Sequence, residues 1–219
     1  AGLGITLVNV ILNNNNAGVA PAMAAPGNGG GLHITGAGDI NITGGTVNGN
    51  VAASEGGGLW NGTGIMTVDG TTIDGNTASG NTATEGGGGI FALPNGTVNV
   101  TNGATISNNI ADGTAGSGGG ILVDAASLSV MNSSITGNRA NRAGGGIEVN
   151  AGSGTISLTN TNLDNNNAGV APAVAAPGSG GGLQRCVCEF LCYYFSRVCA
   201  CVDHCIVPGV DDGRSRAND

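Results

Sequence analysis

The chain has 219 residues, of which only 9% are charged and 3% aromatic, while 44 are Gly. So few large side chains would not fill the wide core of a globular enzyme, whereas a repetitive fold with a narrow interior needs only a few aliphatic residues per repeat. The net charge is −8 and the six basic residues are all Arg. Without clustered cations, nucleic acid is not an expected partner. The longest apolar runs, such as Ile5 to Leu12, are too short for a transmembrane segment.

A Gly-Gly-aliphatic motif recurs along the chain and indicates a repeat architecture. The aliphatic residues of its six copies are Leu32, Leu59, Ile90, Ile121, Ile147 and Leu183. Successive copies are 27, 31, 31, 26 and 36 residues apart. Gly and β-branched residues dominate these periods without a 3.6-residue apolar stripe, which disfavours helix and predicts strands.

Two further strand patterns follow each copy of the motif. The first is apolar-polar-apolar and occurs at 5–7, 40–42, 66–68, 98–100, 128–130 and 156–158. The second is polar-apolar-polar and occurs at 46–48, 72–74, 105–107, 134–136 and 162–164. Because successive strand residues point to opposite faces, the aliphatic positions share one side. We expect three-sided coils that pair in parallel, with Val47, Ile73, Ile106 and Ile135 above one another.

An Asn follows the third strand at the same place in every copy. The six residues are Asn15, Asn50, Asn76, Asn109, Asn138 and Asn166. Asn tolerates the left-handed conformation and can bond its own backbone, so a turn role is expected. Stacked copies would also form a structural Asn ladder.

The run Leu-Ser-Val-Met-Asn-Ser-Ser-Ile-Thr-Gly-Asn at 128–138, with the preceding Gly-Gly-Gly-Ile, resembles the repeats of bacterial right-handed parallel β-helix proteins. These include polymorphic outer-membrane and autotransporter-passenger types. The resemblance covers residues 1–183 and implies an all-β, right-handed parallel β-helix, or solenoid, of about six coils. It also implies a secreted or cell-surface location. It indicates fold better than function, because such proteins include adhesins, surface-layer-like proteins, polysaccharide lyases and hydrolases.

A longer repeat overlies the short one. Residues 1–32 match residues 152–183 at a constant offset of 151, the sum of the five short periods, so a five-coil super-repeat is followed by a partial copy. The chain thus enters the solenoid mid-coil, and an open end exposes apolar side chains and strand edges. Two expectations follow: further coils of a longer chain, or self-association into an end-to-end polymer.

Residues 184–219 form a separate Cys-rich segment. Its six cysteines are Cys186, Cys188, Cys192, Cys199, Cys201 and Cys205. An even count in a chain of extracellular type favours disulfides in a C-terminal cap. Two alternatives stay open: a zinc site that uses thiolates and His204, and a tail without selected structure.

Outward-facing residues of the first strand are the candidate partner-binding row. Parallel stacking places His33, Trp60, Phe91, Leu122 and Glu148 in one line, with Trp60 and Phe91 on adjacent rungs. Aromatic faces suit sugar rings or surface proteins, so glycans are possible partners. The equal alternative is a stacking row beneath a loop.

The remaining hypotheses are weaker. Thr and Ser on the third strand resemble the arrays of ice-binding solenoids, but Asp74 and Asp164 interrupt them. Polysaccharide lyases and hydrolases need clustered carboxylates and a basic residue, whereas the acidic residues here are scattered, so no catalytic residue and no enzyme is predicted. Glu55 and Glu85 both precede Gly runs, where calcium is an alternative to simple periodicity. The leading hypothesis is an extracellular structural or adhesive solenoid, part of a stalk or fibre.

Overall fold

The computed structural model describes residues 4–18, 27–150, 152, 154–169 and 180–185. Within these ranges all regular structure is strand, and no residue is helical. The strands lie in parallel sheets stacked along one axis, so the predicted all-β parallel solenoid is confirmed. Of the predicted Cys-rich segment 184–219, residues 186–219 with all six cysteines lie outside the described residues.

Twenty-three strands succeed one another in the described ranges. In chain order they are β1 (Ile5–Val8), β2 (Ile11–Asn13), β3 (Leu32–Ile34), β4 (Ile40–Thr43), β5 (Thr46–Asn48), β6 (Val51–Ala52), β7 (Leu59–Asn61), β8 (Ile65–Asp69), β9 (Thr72–Asp74), β10 (Thr77–Ala78), β11 (Ile90–Ala92), β12 (Thr97–Thr101), β13 (Thr105–Ser107), β14 (Ile110–Ala111), β15 (Ile121–Val123), β16 (Ser127–Met131), β17 (Ser134–Thr136), β18 (Arg139–Ala140), β19 (Ile147–Val149), β20 (Ile156–Thr159), β21 (Asn162–Asp164), β22 (Asn167–Ala168) and β23 (Leu183–Arg185).

The coils have four sides rather than the predicted three, although the first coil contributes only an isolated bridge, Asn16 to Val51, to the fourth side. Sheet I contains β3, β7, β11, β15, β19 and β23; sheet II contains β1, β4, β8, β12, β16 and β20; sheet III contains β2, β5, β9, β13, β17 and β21; sheet IV contains β6, β10, β14, β18 and β22. The strands of sheet IV are only two residues long, and each ends in Ala. These strands were not predicted, because two residues are too few to show an alternating pattern.

Six coils are numbered by their sheet II strands. Coil 1 runs from β1 to β3, and coils 2 to 6 each contain four consecutive strands that begin at β4, β8, β12, β16 and β20. Coil 6 is the sequence duplicate of coil 1. Its last strand pairs with β19 through Arg185, so pairing continues two residues beyond the predicted boundary at residue 183.

Aliphatic side chains from consecutive coils fill the interior. Val47 pairs with Ile73, which pairs with Ile106, which in turn pairs with Ile135, so the predicted column is confirmed. All four are buried in one continuous hydrophobic core. Because each rung needs only a few aliphatic residues, the low content of large side chains is compatible with a filled core.

The Gly-Gly motif permits close approach between coils. A Cβ atom at Gly57 would lie 2.4 Å from the carbonyl oxygen of Gly88, and one at Gly88 would lie 2.4 Å from that of Gly119. Since these neighbours are backbone atoms, a side chain could be accommodated only by shifting a coil. The motif is therefore a packing requirement of the stack.

Candidate functional site

The candidate binding row lies on sheet I, and the pairing register aligns its members as predicted. Trp60 pairs with His33 on one side and with Phe91 on the other. The His33 and Trp60 ring centroids are 4.1 Å apart at 30°, and those of Trp60 and Phe91 are 6.0 Å apart at 18°. The rings thus form an aromatic stack that runs along the solenoid axis.

Of the two alternatives for this row, an open binding surface or a stacking row beneath a loop, the structure shows a largely covered row. Trp60 is only 5% exposed and Phe91 1%, and both pack with Leu122 in a small second hydrophobic cluster outside the main core. Glu148 is also fully buried, whereas His33 is exposed. Rings covered in this way do not offer a free aromatic face to a sugar. The alternation of the strand indicates only that these side chains point away from the main core, and not how exposed to solvent they are.

Segments that connect sheet IV to sheet I supply contacts on this outer face; we call them the cover loops (residues 53–56, 79–86, 112–117 and 141–143). Isolated parallel bridges join Ser117 to Gly86 and to Ala143, so three of the loops stack like the strands beside them. A covering loop was the equal alternative for this row, but the sequence did not identify the covering segments, because loop length and Gly content do not show where a loop folds.

In coil 5 the member of the row is Glu148, which forms a buried ion pair with Arg142. Arg142 Nη2 donates to Glu148 Oε1 at 2.9 Å, and Arg142 Nε donates to the Ser117 hydroxyl at 2.8 Å. The same guanidinium reaches the carbonyl oxygen of Ala83 at 3.4 Å. Arg142 therefore joins its own cover loop to the loops of two preceding coils. A lone cation in a Gly-rich loop gave no signal that its partner would be Glu148.

Glu55 occupies the corresponding cover loop beside coil 2. Its Oε2 accepts hydrogen bonds from Trp60 Nε1 at 2.9 Å and from Asn28 Nδ2 at 3.1 Å. Burial raises the pKa of the Glu55 carboxyl, the Trp60 hydrogen bond opposes that rise, and the charges of Glu85 and Asp124 add to it. The carboxylate thus anchors the indole rather than facing a ligand.

No group of three or more His, Cys, Asp or Glu side chains that could hold a metal ion occurs in the part of the chain described here. Glu85, the other candidate calcium ligand, accepts a hydrogen bond from the backbone N–H of Thr82 at 2.9 Å. The zinc alternative depends on Cys residues and His204, which lie outside the described residues.

The predicted Asn positions form one row along the corner between sheets III and IV, and its members in coils 2 to 5 are buried. In the central step, the backbone N–H and Nδ2 of Asn76 both donate to Asn109 Oδ1 at 2.9 Å, and Asn109 Nδ2 donates to the carbonyl oxygen of Ile73 at 3.0 Å. The same pattern links Asn15, Asn50, Asn76, Asn109, Asn138 and Asn166. The row therefore ties each coil to the next through side chains as well as backbone.

The predicted turn conformation belongs to the residue that precedes each ladder Asn. Asn108 has a φ of 53° and Gly75 a φ of 63°, whereas Asn76 and Asn109 are not in the left-handed region. A ladder Asn needs its own N–H and side chain directed at the next coil, and the preceding residue makes the turn that allows this. Here the expectation of a left-handed ladder Asn was wrong.

Polar side chains on the outer face of sheet III form hydrogen bonds with one another. Asp74 Oδ1 accepts from the Ser107 hydroxyl at 2.6 Å and from Asn108 Nδ2 at 2.8 Å. These bonds hold the carboxylate within the row, in contrast to the regular hydroxyl array of an ice-binding face. A groove of about 630 Å³ lies at the nearby corner of sheets II and III, where Ser133, Asn160 and Thr161 contribute to a lining without titratable side chains.

No helix that is long and apolar enough to cross a bilayer occurs in the described ranges. The candidate site therefore consists of sheet I, whose outer face the cover loops contact, and the Asn ladder. Comparison of the chain with protein-family models, with curated proteins and with solved structures gives no match.

Proposed function

We propose that this chain is a structural rod of a secreted or cell-surface protein, which carries load or spacing along its axis. The observation that supports the proposal best is the buried Asn ladder, because it adds a second, side-chain connection to every backbone step between coils. Each ladder amide is buried in coils 2 to 5, where water competes little for its bonds.

The outer face of sheet I favours this role over glycan binding. Its aromatic rings stack on one another, and Trp60 donates a hydrogen bond to Glu55 of a cover loop, so these side chains form an additional packed layer on one side of the rod. The extracellular location is supported by the resemblance to bacterial surface β-helices and by the cysteines after Leu183, which suit an oxidising compartment.

Force spectroscopy on the full chain tests the mechanical role. In a stack of nearest-neighbour units we expect unfolding coil by coil. Each released coil of 26 to 36 residues would add about 90–130 Å of extended chain. An extension without force peaks would contradict a load-bearing role. Immunogold labelling of intact source cells tests the location separately, and label confined to the cell interior would contradict it.

An Asn109→Ala variant connects the mechanics to the ladder. The substitution leaves the Asn76 donors and the carbonyl of Ile73 without their partner, and each buried group left unpaired costs about 1–3 kcal/mol. We expect a lower unfolding force for the central coils. Asn108→Gly is the matched control, because it changes the adjacent amide but keeps the left-handed turn. Equal force loss in both variants would remove the ladder from the explanation.

A further inference from the structure

The two ends of the Asn ladder are complementary. At the lower end, Asn15 donates upward to Asn50 Oδ1 through both its backbone N–H and Nδ2. Its own Oδ1 accepts no hydrogen bond from the described residues. At the upper end, Asn166 Nδ2 donates downward to the carbonyl oxygen of Ile135 at 2.8 Å. The upward donors of Asn166 have no acceptor within the described ranges.

We infer that the partner of this rod is a second copy of the same chain, with coil 6 of one copy stacked in register on coil 1 of the next. In that arrangement Asn166 would donate to Asn15 Oδ1 of the next copy, as each ladder Asn does inside the molecule. The inference rests on the proposed structural role and specifies its interface. The contact is head to tail, so each added copy presents the same coil edge to the next one.

The backbone edges match in the same way, and the duplicated sequence shows how. Ala17 N–H donates upward to the carbonyl oxygen of Val51 at 2.9 Å. Its duplicate Ala168, 151 residues later, lies in β22, the outermost described strand at the upper end of sheet IV. An upward N–H at Ala168 would meet the carbonyl oxygen of Asn16 in the next copy.

The lower edge supplies the reciprocal donors. In coil 6, Asn162 N–H donates downward to the carbonyl oxygen of Ser133 at 3.0 Å. Its duplicate in coil 1 is Ile11, in β2, the outermost described strand of sheet III. An N–H of Ile11 that points downward would meet the carbonyl oxygen of Thr161 in the copy beneath.

Aliphatic side chains of the main core end half-buried at both terminal coils. At the lower end they are Leu7, Leu12, Leu32 and Ile34, and at the upper end Ile156, Leu158 and Leu163. Stacking would place Leu7 against Leu158 and Leu12 against Leu163, which are equivalent positions of duplicate coils. The interface would remove apolar surface from water at both ends and extend the existing column.

Two proline variants of the full chain test the interface. Ala168→Pro removes the upward donor of coil 6, and Ile11→Pro removes the downward donor of coil 1. Among the described residues neither donor makes an intramolecular hydrogen bond, and the Ile11 side chain is 68% exposed. We therefore expect an unchanged melting temperature with loss of assembly. Ala168→Ser and Ile11→Thr keep the N–H and are the matched controls.

Sedimentation velocity and electron microscopy provide the readout. The unmodified chain should form rods that lengthen with concentration, with an axial repeat of about 29 Å for six coils. Each proline variant alone should be monomeric, but an equimolar mixture should form dimers only, because each variant keeps one intact end. A monomeric unmodified chain, a mixture that stays monomeric, or proline variants that still polymerise would overturn the inference. A monomer that unfolds coil by coil under force would leave the structural role in place.

Discussion

The outer face of sheet I is buried from coil 2 to coil 5, but by different chemistry in its two parts. In coils 2 to 4 the buried side chains are Trp60, Phe91 and Leu122, whereas in coil 5 the equivalent residue is Glu148, which pairs with Arg142. The strands are equivalent in both parts. The difference teaches that the cover loops, rather than the strand pattern, decide which outward residues can be buried, since a loop that supplies a cation permits a carboxylate.

Among the substitutions that test this difference between coil 5 and coils 2 to 4, Arg142→Leu should lower the free energy of unfolding most. The substitution leaves the fully buried Glu148 carboxylate without its cation, and breaking a buried pair from one side costs about 3–5 kcal/mol. We expect a large fall in the urea midpoint, measured by circular dichroism. The exposed Arg139 supplies the control, because Arg139→Leu should change the free energy of unfolding by less than about 0.5 kcal/mol.

The double variant Arg142→Leu/Glu148→Leu tests the same difference, because it gives coil 5 a leucine at the position where coil 4 has Leu122. Replacing a whole buried ion pair with apolar residues is often neutral or stabilising. We expect the urea midpoint to recover most of what the single substitution lost. If the double variant is as unstable as the single one, the cover loop of coil 5 cannot pack without its charge.

Leu122→Ala tests the apolar part of the row with a smaller effect. The side chain is fully buried in the second cluster, and truncation of a buried Leu costs about 3 kcal/mol from lost transfer energy and the remaining cavity. The urea midpoint should fall, and Leu122→Met should cost less than about 1.5 kcal/mol because it conserves volume. Equal stability of Leu122→Ala and the parent would show that this cluster contributes little to folding.

The main column could be predicted from sequence, because the alternation around Val47, Ile73 and Ile106 repeats at a constant place in each period. The ladder position of Asn109 was equally visible. Sheet IV was missed, since a strand as short as Ile110–Ala111 carries no periodic signal. Trp60 and Glu148 bond the loop residues Glu55 and Arg142, which lie five and six positions before them. The alternating strand pattern does not show how that loop folds back onto the strand.

The smallest effect on stability is expected at Glu55, whose carboxyl accepts a hydrogen bond from Trp60 in the apolar part of the row. Burial raises the pKa of its carboxyl above the ordinary value of 4.5. Between the ordinary and the raised pKa, the folded state binds more protons than the unfolded state, so stability falls as pH rises. The stabilising contribution is complete below the ordinary pKa and is lost as pH rises through the raised one.

Glu55→Gln should remove that dependence and keep the anchor, because an amide oxygen can accept the bonds from Trp60 and Asn28 that the carboxylate accepts. The measurement is the melting temperature of both proteins across the acidic range, taken as a difference so that other carboxylates cancel. The variant should gain on the parent as pH rises through the raised pKa. A difference that does not change with pH would show that folding leaves the pKa of the Glu55 carboxyl at its ordinary value, against the rise that burial is expected to cause.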